Sequence, residues 1–254
     1  MSFPESEPDS DSNSLATIAT IAHDKCRCSI LGCRYCDTPI IISIDGNIGS
    51  GKSTNVHDLK KFYNEKGRSD ILFIQEPVDT WNMVVDKDGT PILANFYKDK
   101  KRFAFRLQML AYISRLKLLR DAIKQGYRYI ITERCVATDR NVFSKMLYDK
   151  GDIEHDEYII YNKWFEEFIT DVPIGAIVYI KANPSVCLER VNIRAREGEN
   201  IPLEYLTECD KYHDEWIDKE KVPKLVIDAN RDFKQNPEAR EETLKIIDAF
   251  ISSL

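Results

Sequence analysis

The stretch "GNIGSGKST", residues 46–54, follows the apolar run "IIISID" (40–45) and leads into "NVHDLKKFYNEKG" (55–67), whose apolar spacing is helical. It fits G-x4-G-K-[ST], and a strand before it and a helix after it are the setting in which that pattern forms a phosphate-binding loop. Gly46, Gly49 and Gly51 let consecutive backbone N–H groups wrap phosphate oxygens, Lys52 can reach the β and γ phosphates, and the Ser53 hydroxyl suits Mg²⁺. The whole loop, with Asn47, Ile48, Ser50 and Thr54, is a candidate nucleoside triphosphate site. It does not say what happens to the phosphate, because GTPases, motors and small-molecule kinases share such loops.

Working outward, four more β-branched runs follow: "ILFIQEP" (71–77), "YRYIITER" (127–134), "GAIVYIKA" (175–182) and "KLVIDAN" (224–230). Each reads as a strand buried on both faces. Between them lie helical stretches such as "KKRFAFRLQMLAYISRLKLLRDAIKQG" (100–126), with Gly126 as a stop, and "NPSVCLERV" (183–191), with Asn183 as cap and Pro184 in the first turn. Strands alternating with helices predict an α/β fold, an open five-stranded parallel sheet flanked by helices.

The 254 residues and 43% hydrophobic content suffice for one large domain with its own core. A formal charge of −6 without a Lys/Arg-rich run argues against a broad nucleic-acid-binding face, yet permits a local basic pocket for a small anion. No window is apolar enough to span a membrane, and the acidic, Ser-rich start "MSFPESEPDSDSNS" resembles neither a signal nor a transit sequence, so a soluble, cytoplasmic protein is expected. That start is expected to be a disordered tail. Cys26, Cys28, Cys33 and Cys36 then fall within eleven residues. They read either as a candidate Zn²⁺ site or as a thiol-rich linker, the C-x-C half being no standard finger spacing. The division expected is 1–38 as acidic tail and Cys-rich segment, and 39–254 as the phosphate-loop domain.

Ligands of open α/β sheets bind at the carboxyl ends of the strands, which makes the charged residues there informative. Glu76 ends the second run, where Pro77 halts any central strand. Glu133 and Arg134 end the third, with Asp139 and Arg140 about a helical turn beyond. Arg190, Arg194 and Arg196 space three guanidiniums along and past one helix. A phosphate loop facing three arginines and two strand-end carboxylates points to phosphoryl transfer to a small acceptor. On the long central helix, Gln108, Ala111 and Arg115 are spaced to share a face. A buried Gln offers one acceptor and two donors to the edge of a base.

Six segments in order, "GNIGSGKST", "EPVDTW" (76–81), "RFAFRLQMLAYISR" (102–115), "ERCVATDR" (133–140), "RAREGENIPLEYL" (194–206) and "DANRDF" (228–233), resemble the successive motifs of the deoxyribonucleoside kinase family, closest to its deoxycytidine/deoxyguanosine branch. The resemblance runs over residues 39 to 252. It implies a P-loop kinase fold with an arginine-rich lid, and transfer of the ATP γ-phosphate to a deoxynucleoside 5′-hydroxyl. Glu76 would be the general base, Ser53 and Glu133 would hold Mg²⁺, and Arg134 would bind phosphates and hold Glu76. Lys52, Arg194 and Arg196 would stabilise the transferring phosphoryl group, with Arg190, Asp232 and Phe233 beside the donor base. Tyr97 and Glu199 would hold the sugar 3′-hydroxyl, while Val78, Trp81, Leu93, Ala111 and Phe143 would pack around sugar and base. The resemblance also implies that an Arg115–Asp139 pair, with Arg140 as a further candidate, narrows the base pocket against a thymine methyl. Deoxycytidine, deoxyadenosine or deoxyguanosine would then be favoured over thymidine, and a homodimer is implied. A nucleoside monophosphate kinase would need a further basic site, and a silent nucleotide-binding module would not need Lys52, Glu76, Glu133 and the lid arginines together.

Overall fold

The computed structural model describes residues 38–196, 199–231 and 236–254. Five strands, β1 (Ile40–Asp45), β2 (Ile71–Ile74), β3 (Tyr129–Glu133), β4 (Ile174–Lys181) and β5 (Lys224–Asp228), form one sheet in the order β2-β3-β1-β4-β5, with every pairing parallel. This is the expected architecture. β1, β3 and β4 form its middle, and beyond the half-buried Ile40 and Ile174 at their starts their Ile, Val and Ala side chains are almost wholly excluded from solvent. The expectation of burial on both faces fails for β2 and β5. They are the edges of the sheet, most of their residues stay partly or fully exposed, and an apolar run does not reveal its place in the strand order.

Helices cover the sheet. α1 (Lys52–Glu65) follows the phosphate loop, and the short α2 (Val78–Asn82) and α3 (Ile92–Lys98) precede the long α4 (Lys100–Ile123). Phe103, Ala104, Leu107, Ala111, Tyr112, Leu116 and Leu119 give α4 a buried face at helical spacing, and the Asp99 carboxylate accepts from the Arg102 N–H to cap its start. That cap separates Tyr97, in α3, from the α4 face. After β3 come α5 (Val136–Thr138), a π-helical stretch Asp139–Ser144 and α6 (Lys145–Asp149), then α7 (His155–Phe168). α8 (Pro184–Arg194), α9 (Leu203–Lys219) and α10 (Pro237–Ser252) complete the chain. Pro184 opens α8 as expected, but the Asn183 side chain makes no cap hydrogen bond. Instead the Asn183 N–H donates to Asn230 Oδ1 at 2.7 Å, tying α8 to the segment after β5. Among the described residues no helix is long and apolar enough to cross a membrane.

Candidate active site

β1 delivers the chain to Gly46 with φ +148° and on to Gly49 with φ +82°, conformations that side chains rarely adopt. Space demands glycine at both. A Cβ at Gly46 would collide with the Ile180 carbonyl, and one at Gly49 with the Cys187 carbonyl on α8. The loop thus lies pressed between β4 and α8, and α1 starts from it with its free N–H groups turned to the cleft, where an anion is favoured. Lys52 is buried, donating from Nζ to the Asn47 carbonyl at 2.6 Å. Burial, then the neighbouring Arg134, pulls its ammonium down to about 7 despite Glu133, Glu76 and Asp45. A buried, under-neutralised cation in a glycine cradle fits phosphate. Beside it the Ser53 hydroxyl donates to Glu133 Oε1 at 2.7 Å, which brings together two hard oxygen atoms that could hold Mg²⁺. The Asn47 side chain instead bonds the Leu206 carbonyl at 2.8 Å and anchors the loop to α9.

Glu76 and Arg134 lie just beyond the strands, since β2 stops at Ile74 and β3 at Glu133. Arg134 has φ +59°, left-handed for a residue with a side chain, a strain that persists only where surroundings hold it. Its guanidinium donates through one nitrogen to both Glu76 oxygens, at 2.8 and 2.9 Å. Arg115 adds a third hydrogen bond to Glu76 at 3.0 Å. Burial alone would raise the Glu76 pKa, but Arg134, Arg115 and Lys52 outweigh it and hold the carboxyl down at about 2.

Arg115 is spent on the protein. It donates to Asp139 at 2.9 and 3.4 Å, to the Glu133 carbonyl at 2.8 Å and to Glu76, and it is 1% exposed. Burial raises the Asp139 pKa and Arg115 opposes it. With two guanidinium nitrogens aimed at the carboxylate, the pair is ionised. Of the pair that was expected to narrow the base pocket, Asp139 lines the cleft and Arg115 lies buried behind it. Arg140 also stays away from the cleft, donating to Asn162 at 2.9 Å and covering the Phe165 ring.

The cleft, about 830 Å³, runs from Ile48 and the phosphate loop to Thr54, past Glu76, Glu133 and Arg134, and into a chamber between α3, α4 and the π stretch. Gln108 and Ala111 line the chamber from α4, Val78 and Trp81 from α2, Leu93 and Tyr97 from α3, and Phe143 from the π stretch. Tyr97 therefore meets Gln108 across the chamber, from a separate helix. Phe96, Leu107 and Tyr205 line it as well. Sequence reading missed them because an apolar residue facing a chamber looks the same as one facing the core. It also missed Asp45, wholly buried at the end of β1, which accepts from Ser43, from Thr138 at 2.5 Å and from the Cys135 thiol at 3.9 Å.

At the other end, Arg190, Arg194 and Arg196 border the cleft. Arg190 donates to the carbonyls of Ser50 at 3.2 Å, Ala229 at 2.8 Å and Arg231 at 3.1 Å, linking the phosphate loop to the segment after β5. Arg194 pairs at 2.5 Å with Glu199, whose side chain is nearly buried. Asp232 and Phe233 lie outside the described residues, as do Cys26, Cys28, Cys33 and Cys36. Among the described residues no group of three or more His, Cys, Asp or Glu could hold a metal ion, and the Zn²⁺ expectation falls on cysteines outside them. Cys135, Cys187 and Cys209 are free and buried.

A parallel sheet in this order, with a phosphate loop at one end of the cleft and a chamber of apolar and polar side chains at the other, defines a P-loop kinase of a small acceptor. The deoxynucleoside kinase family model matches residues 42–252, and the chain belongs to that family. It is 35% identical over 231 residues to a probable deoxycytidine kinase of fowlpox virus, covering 87% of this chain and 92% of the relative. It is 32% identical over 245 residues to human deoxycytidine kinase (84% and 91%), and 29% identical over 243 residues to the mitochondrial deoxyguanosine kinase of Xenopus laevis (84% and 90%). The protein is a deoxynucleoside kinase, an ATP- and Mg²⁺-dependent phosphotransferase.

Proposed function

We propose that the acceptor is the 5′-hydroxyl of deoxycytidine, deoxyadenosine or deoxyguanosine, with thymidine disfavoured, and that Glu76 is the general base. The observation that carries this reading is the placement of the Glu76 carboxylate, held by Arg115 and Arg134 where the phosphate end of the cleft opens into the Gln108 chamber. Gln108 offers its amide to the base edge, Asp139 narrows the pocket, and Tyr97 with Glu199 holds the sugar. The relatives named as deoxycytidine and deoxyguanosine kinases support that range of bases.

Glu76 is ionised at any working pH, but a carboxylate held near 2 is a weak proton acceptor. This suits phosphoryl transfer, whose loose transition state demands little of a base early on, so the first task of Glu76 is to orient the hydroxyl. Arg134 serves two anions. As it turns towards the transferring phosphoryl group its grip on Glu76 loosens, and the carboxylate becomes more basic as the proton needs a home. Lys52 and Arg196, with Arg194 once it leaves Glu199, would stabilise charge developing on the phosphoryl oxygens. Ser53 and Glu133 would hold Mg²⁺, which when bound would neutralise charge on the donor phosphates. The test is the steady-state rate of purified protein with ATP and Mg²⁺ on each of the four deoxynucleosides, beside Glu76→Gln. Thymidine as the best substrate would overturn the pocket assignment, and an unimpaired Glu76→Gln the catalytic one.

Donor binding gives Lys52 its counter-charge, which draws its pKa back up. ATP binding is therefore expected to take up more protons at pH 8, above the lowered Lys52 pKa, than at pH 6, below it. Titration calorimetry in buffers of different ionisation enthalpy reads this uptake, and Lys52→Met should abolish the pH 8 component. Equal uptake in wild type and variant would refute the assignment.

A homodimer belongs to the same reading. Ile113 on α4 and Ile159, Ile160 and Trp164 on α7 are exposed apolar side chains on two helices that pack together, a surface suited to a second copy. Sedimentation velocity showing monomer at every concentration would rule it out. The start of the family match at residue 42 supports reading 39–254 as the kinase domain and residues 1–38 as a segment apart from it.

A further inference from the structure

Gln108 and Arg115 are seven residues apart on α4, two turns, and so face the same way. Opposite them runs the π stretch. A π-helix bonds i to i+5, so Asp139 and Ser144, five residues apart, also share a face. The two faces meet in two rungs. Arg115 binds Asp139 at 2.9 Å, and the Ser144 hydroxyl donates to Gln108 Oε1 at 3.4 Å, with all four residues buried.

A hydroxyl can donate or accept, so Ser144 alone would not fix which way the Gln108 amide points. Tyr161, on α7, breaks the tie. Its hydroxyl is buried, makes no hydrogen bond of ordinary geometry among the described residues, and has the Ser144 hydroxyl as a neighbour within reach. A buried hydroxyl left unpaired is costly. A small adjustment lets Tyr161 donate to the neighbouring Ser144 Oγ, which leaves the Ser144 hydrogen for Gln108 Oε1.

We propose that Ser144, backed by Tyr161, is a positioning residue that holds the Gln108 amide with Oε1 towards the π stretch and so selects bases carrying an amino group beside a ring acceptor. This deepens the reading of Gln108 as the base ligand and rests on it. Cytosine presents its N4 amino group beside N3, and adenine its N6 amino group beside N1. Guanine and thymine present the reverse, an oxo group beside a ring N–H. With Oε1 held on the side where Asp139 reaches the chamber, two acceptors await the two hydrogens of an amino group, while Nε2 donates to the ring nitrogen. A guanine O6 or thymine O4 there would meet two acceptors and leave the amide mismatched. Deoxycytidine and deoxyadenosine are therefore the preferred substrates, ahead of deoxyguanosine.

The test measures kcat/KM of the full chain for deoxycytidine, deoxyadenosine and deoxyguanosine in wild type, Ser144→Ala, Ser144→Thr and Gln108→Leu. Wild type should favour the first two. Ser144→Ala should reduce that preference about threefold to tenfold, the range of one neutral hydrogen bond, and Ser144→Thr, which keeps the hydroxyl, should restore it. A packing defect would instead lower all three together and leave the ratio intact. Should Ser144→Thr not fold, Tyr161→Phe replaces it and is expected to reduce the preference in the same direction. A wild-type preference for deoxyguanosine, or a ratio unchanged in Ser144→Ala while Gln108→Leu loses activity on all three, overturns the inference and leaves Gln108 as base ligand. Full activity of Gln108→Leu would remove the Gln108 reading itself and the inference with it.

Discussion

Glu76→Gln is expected to lower kcat by about two to four orders of magnitude, the contribution of a positioned general base, while KM for ATP changes little. The amide keeps nearly the shape of the carboxylate and can still accept hydrogen bonds, but it cannot take the proton. It also removes the negative charge between two buried guanidiniums. Arg115 retains Asp139 and the Glu133 carbonyl, whereas Arg134 keeps only the neutral amide oxygen and the Gly46 carbonyl at 3.4 Å among the described residues. A lower melting temperature should therefore accompany the lost rate. Binding of ATP, measured directly, separates the two effects, since a protein that binds ATP normally and does not turn over has lost chemistry rather than structure. The sign of the pH effect follows from the depressed pKa. The Glu76 pairing contributes stability above about pH 4.5 that is lost as pH falls towards 2, so no acid limb from Glu76 is expected in the rate profile at neutral pH. A variant within threefold of wild-type kcat would show that the proton leaves by another route.

Arg115→Met should be the most damaging single change to stability, about 3–5 kcal/mol, because removing one partner of a buried ion pair strands the other. Met roughly fills the volume, so the loss reflects an Asp139 carboxylate at 2% exposure with no cation and a Glu133 carbonyl without its donor. Adding Asp139→Ala should return part of the loss, because the double variant buries no orphan charge. Urea midpoints of the two single variants and the double close the cycle. Costs that simply add would mean that the pair is not coupled as the 2.9 Å contact implies. The rate on thymidine, relative to deoxycytidine, should rise in the double variant, since the wall that crowds the thymine methyl is gone. No rise would place that discrimination elsewhere.

The phosphate loop and the five strands were legible because each is a local pattern, a glycine spacing or a β-branched run, that dictates backbone geometry directly. Which strands sit at the edge was not, since burial depends on neighbours more than a hundred residues away, as in the pairing of β1 with β4. The same limit applies inside the cleft. Helical periodicity put Gln108 and Arg115 on one face correctly, yet only the fold shows that Gln108 reaches the chamber while Arg115 lies behind it, consumed by three acceptors. Tyr97 shares the chamber by way of a second helix that Asp99 sets off. Ser144 and Tyr161 carry no signal at all in the chain, because a serine in a helical stretch and a tyrosine in an apolar one gain meaning only when they meet.

Gly49 touches the Cys187 carbonyl so closely that not even a methyl group fits between them. The loop that grips the donor and the helix that carries Arg190 and Arg194 therefore share one mechanical joint, with Arg190 pinned to the Ser50 carbonyl on the loop side. A shift of one is a shift of the other. Packed this closely, the phosphate loop and the helix bearing the arginines are expected to move as one body, as one gear tooth moves the next.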